Sequence, residues 1–307
     1  MTVSVSVIVT AYNRRDYLLN AVSSVKSADE VIVVKNFKDE SIDQKLNELK
    51  VKSIYCEDPR AGTFMSEGIS QSRGDVICFL DDDDMFAEDK LSVVRKTFED
   101  ADVVFFYNSR YIIDEGGKVI GEEVLEDKEV KSDDIAYLFR NRLYFNSSSM
   151  CIRREIVESR LEDLRRIKRL VDNFFLLSAV SSKGTVRVTS KKLTYYRLHH
   201  SSSVQLTQDF NEFTSRRIEY FRDAIADNEI MTEVFEGKAR RAAECSKEMA
   251  EVQRIIAEGK RCINFIWCEI FTLRTLLYAN LACLVSLFSP NLPRKLMYSK
   301  YRRLNRQ

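Results

Sequence analysis

Four consecutive carboxylates, Asp81-Asp82-Asp83-Asp84, stand at the end of the apolar run Val76-Ile77-Cys78-Phe79-Leu80. Adjacent acids repel one another, so at the tip of a low-dielectric layer they must face solvent, accept hydrogen bonds or bind a cation. Oxygen-only ligands favour Mg²⁺ or Mn²⁺ over zinc. The same run also reads as an acidic loop or a first helical turn, because Asp is favourable at a helix N-terminus and Phe86 to Glu99 is expected to be helical.

The elements around the acids say how they are carried. Five apolar residues after Asp75 suit a strand covered on both faces, as in a parallel sheet, and ligands bind at the carboxyl ends of such strands. Val3 to Val9 reads as a first, largely buried strand. Asn13 is expected to cap the next helix, with Asp16 behind it and Leu18, Ala21, Val22 and Val25 on its inner face. Strands follow over Glu30 to Val34 and Val51 to Tyr55, then a helix over Gly62 to Ser72, the acid-tipped strand, and a fifth strand over Val103 to Tyr107. Repeated β-α alternation predicts a doubly wound nucleotide-binding half.

Beyond residue 110 the pattern changes. Asp114-Glu115-Gly116-Gly117 predicts a hairpin. Asp133 to Arg140, Arg154 to Asp163 and Leu170 to Ser181 read as helices, with Phe145 to Met150 as a strand or loop. Thr185 to Val188 and Leu193 to Leu198 read as two strands. We therefore expect one domain over 1–205, with a nucleotide-binding half (1–110) and an acceptor or catalytic half (111–205). A C-terminal helical region over 206–307 follows.

Lys and Arg total 48 against 47 for Asp and Glu, so no global field argues for nucleic acid. Locally, Arg294, Lys295, Lys300, Arg302, Arg303 and Arg306 crowd the last fourteen residues. A basic tail of this kind suits an anionic membrane surface, or simply solvent. The seven cysteines are odd in number and lack CxxC spacing, which predicts reduced core residues of a cytosolic protein. The chain enters a strand at once, without a leader-type apolar segment, so no secretory signal is expected.

Cys262 to Phe288 is strongly apolar. As one helix at 1.5 Å per residue it would be about 40 Å long, more than a bilayer core. It contains Glu269 and Arg274, each unfavourable by about 2.5–3.5 kcal/mol at a membrane centre. Asn264, Glu269, Thr272, Thr275, Asn280 and Ser286 would share one face. That pattern suits a helix lying in a membrane interface or an oligomer groove, and leaves spanning and a soluble core helix open.

These residues resemble the inverting family 2 glycosyltransferases with the GT-A fold. Val5-Ser6-Val7-Ile8-Val9-Thr10-Ala11-Tyr12-Asn13 looks like that family's opening strand and nucleotide loop. Gly62-Thr63-Phe64-Met65-Ser66-Glu67-Gly68-Ile69, followed by Gly74 to Asp84, resembles the stretch leading into its DxD motif. Tyr196-Arg197-Leu198-His199 with Ser201 to Ser203 is similar to its closing YRxH element. The resemblance covers roughly residues 3–203. It implies a Rossmann-like, mostly parallel sheet with helices on both faces; the C-terminal helical, membrane-associating segment lies beyond it and is expected from its own apolar run and basic tail.

It also implies roles. Asp83 would bind Mn²⁺ or Mg²⁺, with Asp81 and His199 completing the metal shell, while Asp81 and Asp82 would contact the ribose or diphosphate of a nucleotide-sugar donor. His199 also reads as a hydrogen-bonded surface histidine. Thr10, Ala11 and Tyr12 would line the base pocket, and Arg60, beside Gly62, would meet the diphosphate. Asp172 lies about two dozen residues before YRxH, where the family places the base that deprotonates the acceptor hydroxyl. An ordinary N-cap is its other reading, and Glu162-Asp163 is the reserve pair. Where the family commonly has Asp-Asp-Gly-Ser, this chain has Lys35-Asn36-Phe37-Lys38, which leaves Asn36 to hydrogen-bond a base edge. The acceptor expected is a glycan, and if 262–307 meets a membrane, a polyprenyl-linked sugar or another glycolipid on its cytosolic face. Two alternatives stay open: a nucleotidyltransferase, disfavoured because Arg14 and Arg15 follow the first strand with no glycine, and a membrane-docked scaffold without chemistry.

Overall fold

The computed structural model describes residues 3–199 and 209–304. By contact the chain divides into two units, Met1–Asp134 with Asn141–His199, and Ile135–Arg140 with His200–Gln307.

The first unit is built on one sheet whose strand order is β3 (Lys52–Tyr55), β2 (Glu30–Lys35), β1 (Val5–Ala11), β4 (Val76–Asp81), β9 (Met150–Arg153), β6 (Val103–Ile113), β10 (Thr185–Arg197) and β5 (Met85–Phe86). Its parallel half consists of β1 (Val5–Ala11), β2 (Glu30–Lys35), β3 (Lys52–Tyr55) and β4 (Val76–Asp81), linked by α1 (Leu18–Ser24), α2 (Glu40–Glu48) and α3 (Ala61–Ser70). β1 lies between β2 and β4, which explains its apolar run: Val5, Val7, Ile8 and Val9 are fully buried. Ser6, polar in the alternation, is buried too and donates to Glu30 Oε2 at 2.6 Å.

The other half follows β5 (Met85–Phe86) and α4 (Lys90–Phe98). It consists of β6 (Val103–Ile113), β7 (Val119–Glu123), β8 (Lys128–Lys131), β9 (Met150–Arg153) and β10 (Thr185–Arg197). α6 (Arg154–Glu158), α7 (Leu161–Arg166) and α8 (Val171–Ser182) separate β9 from β10; α5 (Ile135–Arg140) belongs to the second unit. β6 and β7 form the hairpin expected at Asp114 to Gly117.

Several expectations need correction here. The sheet is mixed rather than mostly parallel: β9 runs antiparallel to both β4 and β6, and β5, β7 and β8 are antiparallel additions. The two strands read over Thr185 to Leu198 are one, β10, because register shifts absorb Ser190 and Lys191 beside β6. Asn13 caps nothing. It sits at φ 56° in the turn after β1, with α1 starting five residues later.

The second unit is helical: α5, α9 (Phe210–Val234), α10 (Gly237–Ala257), α11 (Leu273–Phe288) and α12 (Asn291–Leu304). The helix read over Cys262 to Phe288 is also corrected. Only its last sixteen residues are helical, and residues 260–271 form an irregular strap. Asn280 explains the difference, because its Oδ1 accepts from Ile266 N at 2.8 Å and its Nδ2 donates to Ile266 O at 3.0 Å. Cys262 N donates to Ser286 Oγ at 2.8 Å. Polar side chains of α11 thus satisfy backbone groups that a longer helix would have paired internally. Among the described residues no helix is long and apolar enough to cross a membrane. Nor are all seven cysteines reduced, because Cys245 and Cys268 form a disulfide that fixes the strap to α10. Burial among apolar neighbours is common to thiols and disulfides alike, so sequence context did not separate them.

Candidate active site

The acids occupy the turn between β4 and β5. β4 pairs with β1 so that Asp81 lies beside Thr10, and Asp82 N donates to Thr10 O at 3.1 Å, extending the ladder by one rung. The chain then turns tightly, with Asp84 N donating to Asp81 O at 3.1 Å. Asp81, Asp83 and Asp84 bring carboxylate oxygens within 4.8 Å of one another.

Neighbouring elements hold this turn. Asn146, at φ 78°, accepts from Ser148 N at 2.9 Å. It thereby sets up a short 3-10 turn, Ser147–Ser149. There Ser147 Oγ donates to Asp81 Oδ1 at 3.1 Å, and Asp81 N donates to Ser148 Oγ at 3.0 Å. Lys90 is fully buried, donates to the Ser148 carbonyl and, at 3.1 Å, to Thr194 Oγ1, and has its pKa lowered by that burial. From β10, Arg197 donates its backbone N–H to Asp84 Oδ1 and its Nε to the Asp83 carbonyl, both at 2.8 Å.

Cations and acids then meet face to face. Arg14 Nε lies 3.1 and 3.0 Å from the two oxygens of Asp82, and Nη2 also bonds Oδ1. Arg14 Nη1 is 2.9 Å from Asp83 Oδ2, and His199 Nε2 is 2.7 Å from the same oxygen. Asp82 is almost wholly buried, so its negative charge is turned into the protein and towards Arg14.

Asp172 stands in the first turn of α8, a helix buried nearly all round. α8 is seated on β4 through Phe175 stacked on Phe79, with centroids 4.1 Å apart and planes 8° apart. Asp172 takes a backbone N–H from Asn146, yet its Oδ1 is buried with no hydrogen-bond partner. Burial, then the charge of Asp81, pushes the Asp172 carboxyl up to about 8. Asp81 rises to about 7 through burial and then the charges of Asp83 and Asp82. Asp82 rises to about 6, chiefly by burial, against the opposing pull of Arg14. Asp84 is pushed well above the carboxylate range by burial and the charges of Asp83 and Asp81.

A divalent cation suits this arrangement. Several carboxylates whose ionised forms burial and mutual repulsion oppose, an imidazole nitrogen beside one of them, and the orphaned Asp84 Oδ2 together make an oxygen-rich donor set with unmet need for positive charge.

The other singled-out residues are placed as follows. Ala11 is buried, Thr10 half-buried, and Tyr12 exposed with its ring edge-on to Phe64 at 5.8 Å. Asn36 is turned onto Asn13: its Oδ1 accepts from Asn13 N and its Nδ2 donates to Asn13 Oδ1, each at 2.8 Å. Arg60 sits at the N-terminus of α3 and is held by Asp58, Nε lying 2.9 and 3.1 Å from its two oxygens. Gly62 is required for packing, since a Cβ there would come within 1.9 Å of the Leu164 carbonyl oxygen. Glu162 is exposed on α7 and paired with Arg165, and Asp163 faces Arg166 at 3.8 Å. Ser201 to Ser203 lie outside the described residues. Arg14, Lys90, Asn146 and the serine triplet are site components that sequence reasoning did not single out. Only the run Asn146-Ser147-Ser148-Ser149, unusually polar and small between apolar segments, carried a readable signal.

Known proteins resemble this chain in sequence and in fold. The chain is 25% identical over 241 residues to an uncharacterized glycosyltransferase of Nostoc sp., covering 73% of this chain and 74% of that protein. It is also 25% identical over 221 residues to EpsH of Bacillus subtilis, which carries a glycosyltransferase name, covering 67% of this chain and 64% of EpsH. Among solved structures, residues 1–349 of S. aureus TarS in complex with UDP-GlcNAc share the fold. The TM-score is 0.55 at 14% identity, over 97% of this chain and 92% of that one. The model of glycosyl transferase family 2 matches residues 6–161, just over half of the 307. The chain therefore belongs to the family 2 glycosyltransferases.

Proposed function

We propose that the protein transfers a sugar from a nucleoside-diphosphate sugar to an acceptor hydroxyl, with inversion at the anomeric carbon and with the help of Mn²⁺ or Mg²⁺. The observation that carries this reading is Asp172 Oδ1: buried, without a hydrogen-bond partner, and close enough to Asp81 to feel its charge. Once a bound cation offsets the charge of Asp81 and Asp172 ionises, an oxygen so placed can accept the proton of an incoming hydroxyl. Asp172 is the base in this reading. Asp83, Asp81 and His199 hold the cation, with Asp84 as a fourth candidate from the same cluster. The bound cation supplies positive charge to the diphosphate as it leaves. Thr10, Ala11, Tyr12 and Asn36 flank the nucleotide; Arg60 takes a diphosphate role only by releasing Asp58. The UDP-GlcNAc complex of TarS supports a nucleotide-sugar donor.

The acceptor in this reading is a polyprenyl-linked sugar or another glycolipid on the cytosolic face of a membrane, which the protein meets through residues 262–307. Support comes from the second unit. Ile263, Trp267 and Phe288 are 76%, 73% and 85% exposed, and Leu277, Leu281 and Leu284 add to an outward apolar face. From residue 270 to the end the sequence has seven basic residues and no acidic one. Exposed aromatic and aliphatic side chains beside cations are what an anionic lipid surface binds.

The test is thermal shift with UDP-sugars, with and without Mn²⁺, on wild type, Asp83→Asn and Asp172→Asn. Ligand that binds only the native state raises Tm. The Mn²⁺-dependent gain should vanish in Asp83→Asn. Asp172→Asn should keep it while transfer falls by about 10²–10⁴, the usual contribution of a general base. Wild-type transfer in Asp172→Asn would refute the base assignment.

A further inference from the structure

Arg14 touches the two atoms, Asp83 Oδ2 and His199 Nε2, that the metal-binding reading makes ligands of the divalent cation. Its Nε and Nη2 grip Asp82, which is buried and fixes the guanidinium in place. Its third arm, Nη1, lies 2.9 Å from Asp83 Oδ2 and 3.0 Å from His199 Nε2, and those two atoms are 2.7 Å from each other. The triangle is frustrated. His199 Nε2 can carry a hydrogen and donate to Asp83, or present its lone pair to Nη1, but it cannot do both. A divalent ion would take Oδ2 and Nε2 together as ligands and remove the conflict. Nη1 cannot stay beside that ion, because its hydrogens point at the same two atoms and guanidinium remains charged at every relevant pH.

We propose that Arg14 is an internal counter-cation that competes with the divalent ion for Asp83 and His199, so that the protein without donor takes up the metal only by displacing Nη1. The proposal rests on the metal-binding reading above. It gives Arg14 a positioning role: by offsetting part of the acid turn's charge at Asp82 and Asp83 before the donor arrives, the residue sets how tightly the ion binds. Arg14 is well suited to this. The guanidinium is one rigid plane held at Nε and Nη2 by Asp82, so Nη1 leaves the ligand atoms only when the whole group shifts and loosens that grip, and this cost is what weakens uptake of the ion.

The experiment measures Mn²⁺ binding directly, by the loss of the free-ion signal in electron paramagnetic resonance, on the full chain with Mn²⁺ alone and with Mn²⁺ plus UDP. Wild type is compared with the double variant Arg14→Met with Asp82→Asn. That variant removes one charge of each sign, so the site keeps its net charge and no buried charge is stranded. Mn²⁺ alone should bind the double variant at least about tenfold tighter, a gain that nearby net charge does not explain. Arg14→Lys serves as the second variant: one ammonium cannot both replace the two-atom grip on Asp82 and reach Asp83, so it too should bind Mn²⁺ more tightly than wild type. Equal or weaker Mn²⁺ binding in the folded variants, with wild type still binding Mn²⁺ in the presence of UDP, overturns the competition while leaving the metal reading standing. Absence of Mn²⁺ binding by every protein, UDP included, overturns both.

Discussion

Arg197 and Asp84, 113 positions apart in sequence, are joined by a hydrogen bond of 2.8 Å from the Arg197 backbone N–H to the Asp84 carboxylate oxygen Oδ1. The Arg197 side chain continues the contact: Nε reaches the Asp83 carbonyl, and Nη1 bonds the carbonyls of Asp114 and Glu115 at 3.0 and 2.8 Å. The arginine of the Tyr-Arg-Leu-His stretch is thus a clamp that ties the end of β10 to the acid turn and to the β6–β7 hairpin.

Substitution of Arg197 should therefore damage the site through its shape. Arg197 is buried, and hydrogen bonds to a charged group are worth about 1.5–3 kcal/mol each. Lysine keeps the charge but not the fork that serves three carbonyls. Arg197→Lys should lower Tm by roughly 5–10 °C and weaken Mn²⁺ binding although no ligand has changed. Calorimetry and metal titration check both; an unchanged Tm would show that the clamp is dispensable.

The acid cluster should make stability depend on pH in an unusual direction. Asp82, Asp81 and Asp172 are raised to about 6, 7 and 8 from an ordinary value of 3.8. The folded state thus binds their protons more tightly than the unfolded chain does. Their contribution is fully present below about pH 4 and is lost as pH rises through about 6 to 8. Without divalent ion, Tm should fall across that upper window. Mn²⁺ should flatten the fall by supplying the missing positive charge, and Asp172→Asn should reduce it. A metal-free Tm that is flat or rising between about pH 6 and 8 would count against the cluster as described.

Much of the first unit is legible in sequence because its signals are local. Val76 to Leu80 is uniformly apolar, and all five residues are fully buried in β4. Asp172 opens α8, an apolar run with almost no polar face, which could only be a buried helix. What was hidden is long-range. Nothing near Lys90 indicates that this lysine in α4 lies beneath the Ser148 carbonyl, and nothing near Arg14 points to Asp82, 68 residues away. The strap failed for the same reason: apolar composition over 262–271 is compatible with helix, and the decision lies with Asn280 and Ser286 on the next element.

The second unit should bind vesicles in a charge-dependent way. Phosphatidylcholine vesicles containing about a third phosphatidylserine should sediment with the protein, and pure phosphatidylcholine much less, since each basic residue near an anionic surface adds about 1 kcal/mol. Replacing Ile263, Trp267 and Phe288 together by serine should cut binding by tenfold or more without changing Tm, because these side chains are exposed. Size-exclusion chromatography at rising concentration separates this from self-association: a dimer dissolved by the same substitutions, with no vesicle binding, would assign the face to a second copy.

The bond between Cys245 and Cys268 closes a ring of chain that takes in the second half of α10 and most of the strap. A protease cutting anywhere inside that ring, for instance after Lys260 or Arg261, leaves two pieces that migrate as one band until a thiol is added. Clipped protein can therefore pass for intact on a non-reducing gel.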